Sequence, residues 1–121
     1  MKSALFIWYP RCSTCINAKK ELESLGVQLR LRDIVNDTPT VDELSAWIAA
    51  SGKPIKSFFN TSGNVYKQLG LKDKLATLTM DEQLALLASN GMLIKRPLLI
   101  CDDGQVIVGR KSKEYIAYAN A

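Results

Sequence analysis

The chain has 121 residues, 47% of them hydrophobic and 23% charged, which suits one ordinary core and leaves no room for a second full domain. It contains no histidine, three cysteines, and 16 basic against 12 acidic side chains, for a net charge of +4. Without histidine there is no Ser-His-Asp or Cys-His catalytic pair and no Cys-His or all-His zinc site, and three cysteines with one close pair neither build a four-thiolate zinc site nor match the disulfide frameworks of small secreted domains. The expectation is a cytoplasmic protein with no bound metal or cofactor, and a charge surplus too small to call for direct nucleic-acid binding.

Residues 4–9 form a continuous apolar, β-prone run stopped by Pro10 and Arg11, which reads as a central strand buried on both faces; it is too short for a membrane span or a targeting segment. From Cys12 onward the period becomes helical, with Cys15, Ala18, Leu22 and Leu25 on one face and Gly26 as the residue after the C-cap. Val27, Leu29 and Leu31 alternate with Gln28, Arg30 and Arg32, which predicts a strand with one buried face, parallel to the first. Thr40 with Glu43 and Thr79 with Glu82 are capping boxes that open two helices, closed by Gly52 and Gly91. Between them lie a turn at residues 60–63 and a short helix ending at Gly70, with Trp47, Phe58 and Phe59 expected to pack this helical stretch. Past Pro97, residues 98–101 and 105–108 read as a hairpin around Asp102-Asp103-Gly104, and a last helix from Ser112 is expected to bury Tyr115, Ile116 and Ala119. The predicted order is β-α-β, helical insertion, β-β-α, the α/β topology of the thioredoxin-like fold. It is read as a single domain over 1–121, with core segments 1–36 and 93–121 and an insert over about 37–92.

The chemistry concentrates at Cys12-Ser13-Thr14-Cys15, where a buried strand turns into a helix. Two thiols at this spacing could simply pack, or form half of a zinc knuckle. The strand before them and the lack of a second pair favour redox use. At the helix N-terminus, free N–H groups and the helix dipole favour a thiolate on Cys12, with Arg11 as a further cation. Cys15, one turn in and facing the core, is placed to be a shielded resolving thiol. Cys101 falls in a predicted strand and reads as a small buried hydrophobe.

The stretches Tyr9-Pro10-Arg11-Cys12-Ser13-Thr14-Cys15, Phe58-Phe59-Asn60-Thr61-Ser62-Gly63, Tyr66-Lys67-Gln68-Leu69-Gly70-Leu71 and Gly91-Met92-Leu93-Ile94-Lys95-Arg96-Pro97 resemble the arsenate reductase (ArsC)-like family over essentially the whole chain. That family includes glutaredoxin-coupled arsenate reductases and the Spx group of redox-sensing transcriptional regulators. The resemblance implies that Cys12 attacks the substrate, that Arg96 and Arg110 hold a small oxyanion, and that the Arg96-Pro97 bond is cis, with Pro97 facing Cys12 and leaving backbone groups to receive an extended substrate. It also carries departures: Asn60 stands where the reductases have another oxyanion-binding arginine, Trp8 replaces a histidine, and Cys15 replaces a hydroxyl residue. Losing cationic help while gaining a second thiol shifts the expectation toward thiol-disulfide exchange, with glutathione, glutaredoxin or thioredoxin as reductant. The alternative that the resemblance offers is an Spx-like switch that binds RNA polymerase.

Overall fold

The computed structural model describes residues 2–121, which divide into two compact units: residues up to Asp33 together with Arg96–Ala121, and Ile34–Lys95.

The first unit is built on a four-stranded sheet ordered β2-β1-β3-β4, from β1 (Ser3–Trp8), β2 (Gln28–Asp33), β3 (Leu98–Cys101) and β4 (Val106–Val108). β1 pairs in parallel with β2, from Ser3 opposite Gln28 to Trp8 opposite Asp33, as the intervening helix α1 (Ser13–Ser24) requires. On its other side β1 runs antiparallel to β3, Ala4 opposite Cys101, and β3 continues into the β4 hairpin. With α6 (Ser112–Asn120) closing the chain, this is the thioredoxin-like order expected. Phe6 and Ile7, on opposite faces of β1, are both excluded from solvent, as an interior strand requires. The core gathers Ala4, Phe6, Ala18, Leu22, Leu99, Ile107, Tyr115 and Tyr118, with Cys101 among them as the small buried hydrophobe its position suggested.

Two readings of side-chain direction are corrected. β2 has no continuous buried face: it is an edge strand, Leu29 is half-buried and Leu31 is 49% exposed. In α6 the buried positions are Tyr115 and Tyr118, whereas Ile116 is 46% exposed. A tyrosine buries more area than an isoleucine, provided its hydroxyl finds a partner. Both do, Tyr115 donating to the Gly109 carbonyl and Tyr118 to the Ser3 carbonyl, each at 2.9 Å.

The second unit is helical. α2 (Val41–Ser51) packs against α5 (Met80–Ser89), and each opens with the expected capping box. Thr40 and Thr79 hydroxyls accept from the Glu43 and Glu82 N–H groups at 3.1 Å, while those carboxylates accept in return from the threonine N–H groups at 3.0 and 2.8 Å. Short helices α3 (Asn64–Gln68) and α4 (Leu71–Lys74) are separated by Gly70, whose φ of 65° suits glycine. Leu44, Leu84, Leu87, Phe58 and Phe59 are buried, while Trp47 is half-buried. An antiparallel bridge between Phe59 and Ile94, flanked by hydrogen bonds from Asn60 N–H to Leu93 and from Lys95 N–H to Phe58, ties the two ends of the helical stretch together.

Candidate active site

β1 ends at Trp8, and a turn closed by the Cys12 N–H on the Tyr9 carbonyl at 2.9 Å delivers Cys12 to the N-cap of α1 in extended conformation. Cys12 itself is the N-cap residue and no side-chain capping hydrogen bond is made there, so the helix start offers unpaired N–H groups beside its sulfur. One turn on, Cys15 is fully buried on the same face as Ala18 and Leu22. Both cysteines are free thiols. From the other segment of this unit comes Arg96, at a cis bond to the buried Pro97 just before β3.

The two thiols are driven apart in acidity. Partial burial raises the cost of a Cys12 thiolate, but the Cys15 N–H and thiol, together with the hydrogen-bonding capacity and charge of Arg96, outweigh it and hold Cys12 below the ordinary thiol range. Burial first, and then the neighbouring Cys12 sulfur, push the Cys15 thiol up to about 12. The arrangement sets one sulfur that ionises more readily than usual beside one that holds its proton.

Arg96 is held in an unusual way. Its guanidinium carbon lies 5.4 Å from the centre of the Tyr9 ring, while its Nε and Nη1 are buried with no hydrogen-bond partner in the protein. The aromatic face stabilises the cation without occupying its donors. Two buried unpartnered nitrogens are costly unless an acceptor arrives, and a charged guanidinium with free donors suits a carboxylate or a tetrahedral oxyanion.

The other arginines named from the sequence are placed differently. Arg11 is exposed, and the cation acting on Cys12 is Arg96. Arg110 forms an ion pair with Glu21 of α1 at 3.1 Å, and the same carboxylate accepts from Ser112. Asn60 belongs to the helical unit, where its amide reaches the Met92 carbonyl at 3.5 Å and its carbonyl oxygen accepts from Ser62 at 3.3 Å. Tyr9 and Glu21 were missed by sequence reasoning: Tyr9 stands three residues before Cys12, but nothing in the pattern links it to Arg96, and no spacing links Glu21 to Arg110. Among the described residues, no group of three His, Cys, Asp or Glu side chains is arranged to hold a metal.

The ArsC family model matches residues 7–118. This chain belongs to the ArsC family. It is 49% identical to the uncharacterized protein YusI of Bacillus subtilis over 93% of this chain and 95% of that protein. A solved ArsC-family-related protein from Bacteroides fragilis superposes with a TM-score of 0.91 at 53% identity, covering 95% of this chain and 96% of that one. More distant relatives fall on both sides of the family: the regulatory protein MgsR of Bacillus subtilis is 27% identical, covering 92% of this chain and 86% of its own length, and an arsenate reductase of Rhizobium meliloti is 26% identical, covering 78% and 66%.

Within this ArsC chain, Tyr9 is expected to act on Cys12 through Arg96. Tyr9→Leu should move the pH midpoint of Cys12 alkylation upward by about 0.5 unit, since Arg96 loses the ring that helps hold its guanidinium beside Cys12, a contact worth roughly 0.5–1 kcal/mol, while Tyr9→Phe keeps the ring and the midpoint. Equal midpoints in all three proteins would show that the ring does not support Arg96.

Proposed function

We propose that the protein is a thiol-disulfide oxidoreductase in which Cys12 is the nucleophile and Cys15 the resolving thiol. The observation that carries this reading is the opposed acidity of the two sulfurs, with Cys12 lowered and Cys15 raised to about 12 one helical turn apart. The Cys12 thiolate attacks an oxidised sulfur of the substrate, forming a mixed disulfide and expelling the other sulfur as a thiolate that takes up a proton. Cys15 then gives up its proton and attacks the Cys12 sulfur. That step releases the substrate's second thiol and leaves a Cys12–Cys15 disulfide, which a cytoplasmic dithiol such as glutaredoxin or thioredoxin, or two glutathione molecules, reduces.

The order of events has a physical basis. Burial is the main reason that Cys15 resists ionisation, but the Cys12 sulfur adds hydrogen-bonding and charge contributions in the same direction. Both disappear once Cys12 is covalently engaged, so Cys15 becomes easier to deprotonate only after capture.

The two free donors of Arg96 support a substrate that carries anionic oxygen, and arsenate is a candidate. Pro97 is assigned the backbone position that receives an extended substrate. Arg11, Arg110 and Asn60 are assigned no step.

The test is a coupled assay in which the reduced protein receives arsenate or a small disulfide, with NADPH-linked glutaredoxin or thioredoxin. Reductant consumption with at least one substrate is expected. No turnover with either would overturn the enzymatic reading.

Alkylation tests the mechanism separately. Because a lowered pKa means thiolate persists to lower pH, Cys12 should react with iodoacetamide with a midpoint below the ordinary ~8.5, while Cys15 and Cys101 react only on unfolding. A Cys12 midpoint at or above that value would remove the proposed activation.

The relatedness to the regulatory protein MgsR supports a second reading. It is the Spx-like switch, in which the same disulfide controls binding to RNA polymerase. Redox-dependent capture of purified polymerase, in the absence of turnover, would favour it.

A further inference from the structure

The helical unit carries six acidic side chains (Asp37, Asp42, Glu43, Asp73, Asp81, Glu82) and six basic ones (Lys53, Lys56, Lys67, Lys72, Lys74, Lys95), so it is neutral as a whole. Its charge is nonetheless unevenly spread. Lys56, Lys67 and Lys72 come from the 3₁₀ turn at Ile55–Phe58, from α3 and from α4, and line one trough of about 300 Å³ with Thr61, Tyr66 and Gly70. A second trough of about 210 Å³ adjoins it, sharing Lys56, Tyr66 and Lys72 and continuing over Pro54, Ile55, Leu75 and Ala76. No carboxylate lines either one. All three lysines are exposed, and among the described residues none of them forms an ion pair.

Three unpaired cations around one trough repel one another, and an anionic occupant relieves that repulsion. The shape decides between kinds of anion. A site for a small charged molecule encloses its ligand and fixes it with a few inward-pointing polar groups. Here the charges sit on long flexible stems of exposed lysines, and the same two half-open troughs are lined by apolar surface at Ile55, Tyr66, Leu75 and Ala76. An extended acidic chain with an apolar side chain between its carboxylates matches both features.

We propose that this groove, from Thr61 and Lys67 across Tyr66 to Ala76, docks an acidic segment of a protein partner, with the carboxylates on Lys56, Lys67 and Lys72 and an apolar residue on the Ile55–Leu75 surface. The surface is distinct from the cysteine chemistry, and its test uses no turnover.

The probe is a fluorescein-labelled peptide of alternating glutamate and leucine, titrated with the full chain and followed by fluorescence anisotropy. Saturable binding is expected, weakened by raising NaCl from 0.05 to 0.5 M. The triple variant Lys56→Glu, Lys67→Glu, Lys72→Glu should bind about tenfold more weakly or worse, while Lys113→Gln, an exposed lysine of α6, should bind as the parent does. Ala76→Trp fills the apolar end without touching a charge and should also weaken the peptide, which keeps the test decisive if the triple variant misfolds. Labelled polyglutamate should bind more weakly than the alternating peptide. Unchanged affinity in both the triple and Ala76→Trp proteins would overturn the proposal, as would binding of a labelled nucleotide without binding of the peptide.

Discussion

Serine at position 12 is expected to abolish turnover in the reductant-coupled assay, by at least ~10³-fold with either arsenate or a small disulfide as substrate. The substitution changes little in bulk, so the fold persists and the loss reports chemistry. A hydroxyl in place of the thiol has no accessible anion near neutral pH, and the Cys15 N–H and Arg96 that favour a thiolate cannot supply one. Cys15→Ser should behave differently. Its Cys12 still attacks, but nothing inside the protein resolves the product, so a mixed disulfide accumulates and is visible as an added mass on the intact protein. If Cys12→Ser retained the parent rate, the nucleophile would lie elsewhere; if Cys15→Ser cycled at the parent rate without trapping adduct, resolution would belong to an external thiol.

The second large effect concerns stability. Gly91→Ala is expected to destabilise the protein by roughly 3 kcal/mol or more, read as a shift of the urea midpoint, because a Cβ at this position would overlap the Ile34 carbonyl oxygen and stand 2.7 Å from its carbon. Both obstructing atoms are backbone, so no side-chain rotation relieves the clash. Gly104→Ala offers a comparison of a different kind, since nothing lies within 4 Å of its Cβ site and the cost comes only from its φ of 98°. A Gly91→Ala protein as stable as the parent would mean that the Ile34 backbone yields easily.

Gly91 also shows where sequence reasoning stops. Its place after a capped helix reads as the residue that closes it, and Gly26, Gly52 and Gly70 do follow helices in left-handed conformation, with φ of 83°, 68° and 65°. Yet α5 ends at Ser89, Asn90 is the cap, and Gly91 has no positive φ; it is glycine because another segment's backbone passes against it. The features that were legible are local ones: the two capping boxes, the turn at Gly104, the crossover that makes β1 and β2 parallel, and the placement of Cys12 and Cys15 on one helical turn. Each is decided by residues within a few positions of one another. Leu31 on the edge of the sheet, Tyr118 inside and Ile116 outside, Tyr9 against Arg96, and Arg110 on Glu21 all depend on partners brought in from distant sequence. Alternation and helical period carry no record of those meetings.

The third cysteine has a consequence for how the protein counts electrons. Cys101 pairs across the sheet with Ala4, at the opposite end of β1 from the turn that carries Cys12, roughly 13 Å of strand away. Its thiol is pushed up to about 12, chiefly by burial and then by the carboxylate of Asp103. Three thiols permit three different disulfides, but only one pairing joins an acidic sulfur to a neighbour within reach. On the proposed cycle, the chain therefore stores two electrons and no more: excess oxidant yields one oxidised isomer instead of a mixture, and a single dithiol equivalent returns every molecule to the same reduced state.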